Sequence, residues 1–135
     1  MPAYSPRIVD AELRELLAMN TVFEAEKALS RMPRDVSAQR GLCYDIESID
    51  ADGNLFFIEV KGRADGADSL TLTINEVNTG RNAPQRFRLA LVSIKGDRAT
   101  PLVYVSGVDW VLPGLGDTQV TKNLQQLLAA GRAPH

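Results

Sequence analysis

The chain has 135 residues, 44% hydrophobic and 24% charged, which suits one globular domain with its own core and excludes a disordered chain. The net charge of −2 excludes a protein that coats nucleic acid through its overall charge, so contact with DNA or RNA must come from a local patch or from a larger protein carrying this domain. Cys43 and His135 are the sole cysteine and histidine, too few for a disulfide or a zinc centre; with no membrane-length apolar run and no apolar signal core in residues 1–6, the expected compartment is the cytoplasm.

The first quarter reads as a helix. Ile8, Val9, Leu13, Leu16, Leu17, Met19, Val22, Phe23 and Leu29 recur at three- and four-residue steps, with Asp10 as the expected N-cap and Pro33 as the expected terminator. Residues 42–49 and 55–60 read as two strands joined through Asp52-Gly53, a hairpin turn signal. Residues 62–68 are small and polar and read as a loop, and 70–73 as a short strand. Thr73 followed three residues later by Glu76 predicts a capping box that opens a second helix near Ile74, fading over 80–84. Residues 87–94 are apolar enough for a central strand. Lys95-Gly96-Asp97 is a turn, 101–105 a further strand and 107–117 a glycine-rich loop. A last helix is expected over 121–130, with Leu124, Leu127 and Leu128 inward and Gly131 at its end. This order predicts an α/β (α+β) domain over residues 1–135, a mixed central sheet flanked by helices.

Chemistry concentrates on Phe57-Ile58-Glu59-Val60-Lys61-Gly62. Residues two apart on a strand share a face, so Glu59 and Lys61 project side by side while Ile58 and Val60 face the core. Neither charge is readily buried alone. If the hairpin forms, Asp45 on the preceding strand comes within reach of both. Two converging carboxylates repel unless a cation sits between them, and a hard divalent ion accepts such oxygen donors, with the Val60 carbonyl and water completing its shell. Glu26 falls inside the apolar stripe of Met19, Val22, Phe23 and Leu29, whereas Glu24 points away. An inward carboxylate needs a partner, and the Asp45–Glu59–Lys61 face is the expected one. The four residues are therefore expected around one cavity, with the Asp45 and Glu59 carboxyls roughly 4–6 Å apart, since Mg–O bonds are about 2 Å. The competing reading of Glu59 and Lys61 is a structural salt bridge.

These residues carry a resemblance. Glu26, Asp45 and Glu59-Val60-Lys61 are similar to the helix Glu, strand Asp and Glu-x-Lys of PD-(D/E)XK nuclease-like proteins, with a restriction-endonuclease-like core. Tyr44-Asp45-Ile46-Glu47-Ser48, Phe57 to Arg63 and Leu72-Thr73-Ile74-Asn75-Glu76 resemble the domain at the C-terminus of the plant protein NO VEIN, also found in bacterial helicase-associated and restriction or phage-defence proteins. The resemblance covers about residues 20–95. Cys43 stands where that family usually has glycine and Val77 where it often has an aromatic residue.

The resemblance implies a metal-dependent nuclease that hydrolyses nucleic-acid phosphodiesters, DNA ahead of RNA, using Mg2+ or Mn2+ on Asp45 and Glu59, with a helicase or defence-system partner in cis or in trans. Glu26, Asp45, Glu59 and Lys61 are its expected catalytic set; Arg63 and Asn75 are the candidates for substrate contact, with loop capping by Arg63 and helix capping at Asn75 as the alternatives. A catalytically inactive module that docks nucleic acid or protein is the alternative. Glu76 is read as a cap, Tyr104 and Trp110 as packing, and Cys43 as a small buried hydrophobe. Two arginine groups, Arg31, Arg34 and Arg40, and Arg81, Arg86 and Arg88, read as solvated loops. The acidic balance predicts weak nucleic-acid binding with a modest salt dependence.

Overall fold

The computed structural model describes residues 6–39, 41–42, 44–64, 66–67, 69–96, 98–99, 102–106 and 119–135. Expectations resting on Arg40, Cys43, Asp68, Asp97, Pro101, Trp110 and the 107–117 loop lie outside the described residues.

Helix α1 (Pro6–Ala28) is followed by strands β1 (Met32–Asp35), β2 (Ile46–Ile49), β3 (Leu55–Ala64) and β4 (Ser69–Thr73). Helix α2 (Ile74–Asn82), β5 (Phe87–Lys95), β6 (Arg98–Ala99), β7 (Val103–Ser106), β8 (Gln119–Asn123) and helix α3 (Leu124–Ala130) complete the order. The main sheet runs β1-β2-β3-β5-β6, with β7 also on β5; a separate two-stranded sheet pairs β4 with β8. β3 and β5 are parallel, joined by a crossover through β4 and α2, and the other pairs are antiparallel. The structure is the expected mixed sheet between helices.

Alternation along the strands divides the core into two layers. Ile58 on β3 and Ala90 and Val92 on β5 meet Ala18 and Val22 of α1 on one face. On the other face, Leu89 and Leu91 meet Leu72 of β4, Val77 of α2 and Leu124 and Leu127 of α3. Glu59 and Lys61 share the parity of Phe57, which packs on this second face.

Local chemistry sets several boundaries as expected. The β2–β3 hairpin turns at Gly53, with φ of 83°, while Asp50 Oδ1 accepts the Asn54 N–H at 2.8 Å. Thr73 and Glu76 form the capping box, with Glu76 Oε1 accepting the Thr73 N–H at 2.8 Å and Thr73 Oγ1 accepting the Glu76 N–H at 3.1 Å. β5 is buried from Phe87 to Val92, as a central strand requires.

Other boundaries differ. Asp10 lies inside α1, which already runs from Pro6 in the described chain. The helix stops at Ala28, before Ser30 with φ of 62°, and Pro33 sits instead in β1, where an outer strand tolerates a residue with no N–H. β2 begins only at Ile46, because β1 and β3 offer register partners from that residue onward. Residues 62–64 belong to β3, held by parallel pairing with Val92, Ser93 and Ile94 of β5. The last helix is shorter than expected, because 119–123 is committed to β4 and Asn123 caps α3 by accepting the Gln126 N–H at 3.1 Å.

Candidate active site

The ladder between β2 and β3 ends just before the expected motif. The Asp45 N–H donates to the Ile58 carbonyl at 2.9 Å, and Asp45 Oδ2 then accepts the Val60 N–H at 2.8 Å. The aspartate side chain thus replaces the next rung of the ladder. Beyond it, the C-terminal half of β3 keeps an edge free of β2. A strand residue's N–H and C=O point to the same side, so the Val60 carbonyl also faces this opening. A cavity of about 350 Å³ lies there, lined among others by Glu15, Asp45, Glu59, Val60, Lys61 and Arg63.

Asp45, Glu59 and Lys61 come together as the strand parity requires. Lys61 Nζ is 3.4 Å from Glu59 Oε1 and 3.0 Å from Glu76 Oε2. Glu59 is buried and hydrogen-bonds to the carboxyls of both Asp45 and Glu76. Burial first, then the hydrogen bond with Glu76 and the charges of Asp45 and Glu76, push the Glu59 carboxyl up to about 10. Asp45 is raised, chiefly by burial, against the lowering effects of the Val60 N–H and Lys61. Burial also acts upward on Glu76, but hydrogen bonds from Glu59 and the Thr73 N–H, together with Lys61, outweigh it and hold this carboxyl below its ordinary range.

Glu26 does not join them. It is fully buried on the α1 side of the sheet, where Arg31 Nη1 donates to both its oxygens at 3.2 Å and the Tyr104 hydroxyl donates to Oε2 at 2.7 Å. The inward direction is as expected, but the partner is not: Glu59 and Lys61 occupy the opposite face. The helix carboxylate at the cavity is Glu15, which sequence reasoning passed over. It stands three residues before Ala18 and seven before Val22, on the same stripe as Glu26, so the periodicity that singled out Glu26 also reaches Glu15. Glu76 was missed as a site residue for another reason. Its capping role is real, but the same carboxylate also pairs with Lys61, a contact with no local signal.

Arg63 lines the cavity and donates from Nη1 to the Gly62 carbonyl at 2.8 Å. Asn75 is exposed in the first turn of α2, next to Glu76, and is not among the cavity-lining residues. Tyr104 and Val77 are core residues. The arginine groups differ from expectation: Arg31, Arg86 and Arg88 converge on Phe56.

The donor set fits a hard divalent cation. Asp45, Glu59 and the Val60 carbonyl offer oxygen only, and three neighbouring carboxyls face a single ammonium. Among the described residues no group of three or more His, Cys, Asp or Glu is arranged to hold a metal ion. Magnesium nonetheless needs only one or two carboxylates, keeping water for the remainder.

The fold is that of a restriction-endonuclease-like domain, as expected. Residues 14–105 match the family described as Protein NO VEIN, C-terminal, more than half of the chain, and the chain belongs to that family. The fold is similar to that of Archaeoglobus fulgidus Hjc, a Holliday junction resolvase, with a TM-score of 0.60 at 12% identity over 86% of this chain and 88% of that one. No curated protein sequence matches. Among the described residues no helix is long and apolar enough to cross a membrane.

Proposed function

We propose that the chain is a metal-dependent nuclease domain that hydrolyses nucleic-acid phosphodiesters, DNA ahead of RNA, within a helicase-type or defence assembly. The observation that carries this reading is the convergence of Asp45, Glu59 and Lys61 on one cavity at the open edge of β3, with more carboxyl groups than the lysine can neutralise. Asp45 and Glu59 would hold Mg2+ or Mn2+, with the Val60 carbonyl between them. When bound, such an ion supplies Lewis acidity toward a phosphoryl oxygen and a more acidic water. Lys61 orients the attacking water through its ammonium. Glu15, across the cavity on α1, fixes water on the second side, and Arg63 contacts a phosphate oxygen next to the scissile bond.

One observation favours a second reading. Lys61 lies between Glu59 and Glu76 at 3.4 and 3.0 Å, which a purely structural ion pair would also show. A crystal soaked in Mn2+ and read by anomalous diffraction separates the two. The nuclease reading expects a peak between the Asp45 and Glu59 carboxylates. No peak, with Lys61 still clamped by both glutamates, supports the structural ion pair and overturns the metal site.

A further inference from the structure

Two arginine groups that are distant in sequence meet at one aromatic ring. Phe56 shares the parity of Ile58 and so lies on the α1 face. It sits toward the N-terminal end of β3, five residues and roughly 17 Å along the strand from Lys61. The guanidinium carbons of Arg31, Arg88 and Arg86 stand 3.8, 5.3 and 5.4 Å from the Phe56 ring centroid. The main chain of Arg132, just beyond α3, is paired with β7: its amide N–H donates to the Tyr104 carbonyl at 3.0 Å, and the Tyr104 N–H donates to the Arg132 carbonyl at 2.8 Å.

The charges in this cluster do not balance. Its carboxylate side chain is Glu26, already occupied by Arg31 and Tyr104. Among the described residues, Arg86 and Arg132 have no ion-pair partner. Burial, followed by the nearby charges of Arg31 and Arg132, holds the Arg88 pKa below its ordinary value, as crowded like charges require. Arg88 is buried, and its donors go to the main-chain oxygens of Gln85, Phe87 and His135. Arg86 and Arg132 differ. Arg86 is half-buried and donates one N–H to Asn54 Oδ1 at 3.0 Å; Arg132 is exposed. Each guanidinium carries five N–H donors, so both retain donors for an outside acceptor.

The excess of positive charge favours an anionic acceptor that can draw on guanidiniums from separate elements. A phosphate fits better than a carboxylate, because its non-bridging oxygens diverge and can accept from both at once. We propose that Arg86 and Arg132, backed by Arg31 and Arg88 around Phe56, form a phosphate-binding subsite that takes a nucleic-acid backbone phosphate away from the carboxylate cavity. This subsite does not depend on the nuclease reading, since it uses none of the cavity's residues. It also allows a chain with a net charge of −2 to hold nucleic acid through one confined patch.

The test uses the full chain, the Arg86→Ala/Arg132→Ala double variant, and Arg132→Glu alone in case the double variant does not fold. Thermal unfolding is compared in phosphate, sulfate and chloride at matched ionic strength. A labelled DNA oligonucleotide is titrated at several salt concentrations without divalent metal. The expectation is that phosphate and sulfate raise Tm in the wild type but not in the variants. Oligonucleotide affinity should fall about tenfold or more in the double variant, and the salt slope should shrink by about one. The titration contains no divalent metal, so failure of the carboxylate site would leave the subsite standing. Unchanged affinity and slope in the variants, or no measurable binding by the wild type, overturns the proposal. A Tm effect lost in the variants without any change in oligonucleotide affinity overturns the nucleic-acid assignment in favour of free phosphate.

Discussion

The Lys61 ammonium lies closer to Glu76, at 3.0 Å, than to Glu59, at 3.4 Å, although Glu59 is its neighbour on the strand. Glu76 is itself tied to the first turn of α2 by the Thr73 N–H. The position of the lysine is therefore set by a helix cap as much as by its own strand.

This coupling separates two variants. Glu76→Gln keeps an acceptor for the capping box but removes the charge facing Lys61. Folding stability should change little, while cleavage should fall clearly. Thr73→Ala should cost about 1 kcal/mol of stability, the usual value of a cap, with a smaller effect on cleavage of the folded protein. Chemical denaturation and initial rates, measured on both, decide. Equal loss of activity in proportion to stability would mean that Glu76 matters only as a cap.

The raised Glu59 pKa has a sign that can be measured. Its carboxyl moves from 4.5 to about 10 on folding, so across that window the metal-free folded state holds a proton that the unfolded chain has released. Stability without metal should therefore fall as pH rises between those values. The raised Asp45 acts in the same direction, whereas the lowered Glu76 acts in the acid range, where its stabilising contribution is lost as pH falls. Divalent metal must displace the Glu59 proton, so affinity should increase with pH and binding should release protons. Calorimetry in buffers of different ionisation enthalpy reads the release, and Glu59→Gln should flatten the stability profile. A profile that rises with pH through the window contradicts this assignment.

Glu15 and Glu26 should behave as opposites. Glu26→Ala leaves the half-buried Arg31 without its carboxylate and the Tyr104 hydroxyl without its acceptor, and should cost about 3 kcal/mol of stability. Glu26→Gln should cost less and leave the rate of the folded fraction near wild type. Glu15→Gln should leave Tm nearly unchanged and lower cleavage by about tenfold or more, as loss of a residue that orients groups around a metal does. Reversed outcomes would return the catalytic role to Glu26.

Helix α1 packs closely on β3 at Gly62. A Cβ there would lie 3.0 Å from Ala18 Cβ and 3.1 Å from the Arg14 carbonyl oxygen. Gly62→Ala should push the helix from the strand, costing about 1–3 kcal/mol, and should displace Glu15 from the cavity. Activity should fall further than the loss of stability explains. A variant with wild-type Tm and activity would show that α1 yields freely.

Much of the site was legible because period-two alternation fixes Glu59 beside Lys61, and the Asp-Gly turn returns Asp45 to them. The α2 cap was legible because Thr73 and Glu76 form a local motif. Glu26 was half legible: helical spacing gives the inward direction but not which face of the sheet the helix covers. β1 hid behind Pro33, which reads as a breaker, and β8 hid because its partner β4 is distant in sequence. The Phe56 cluster joins residues from four segments, so no local pattern contains it.

The most direct measurement of the central claim is cleavage of labelled single-stranded, double-stranded and branched DNA by the purified chain with Mg2+ or Mn2+. Wild type is compared with Lys61→Ala, Glu59→Gln and the double variant. The expected result is metal-dependent cleavage by the wild type, reduced by about a hundredfold or more in each single variant, the size of a lost water-orienting group or metal ligand. Metal binding should persist in Lys61→Ala and be lost in Glu59→Gln. Cleavage that survives in the double variant, or no cleavage of any substrate by the wild type with either metal, contradicts the account.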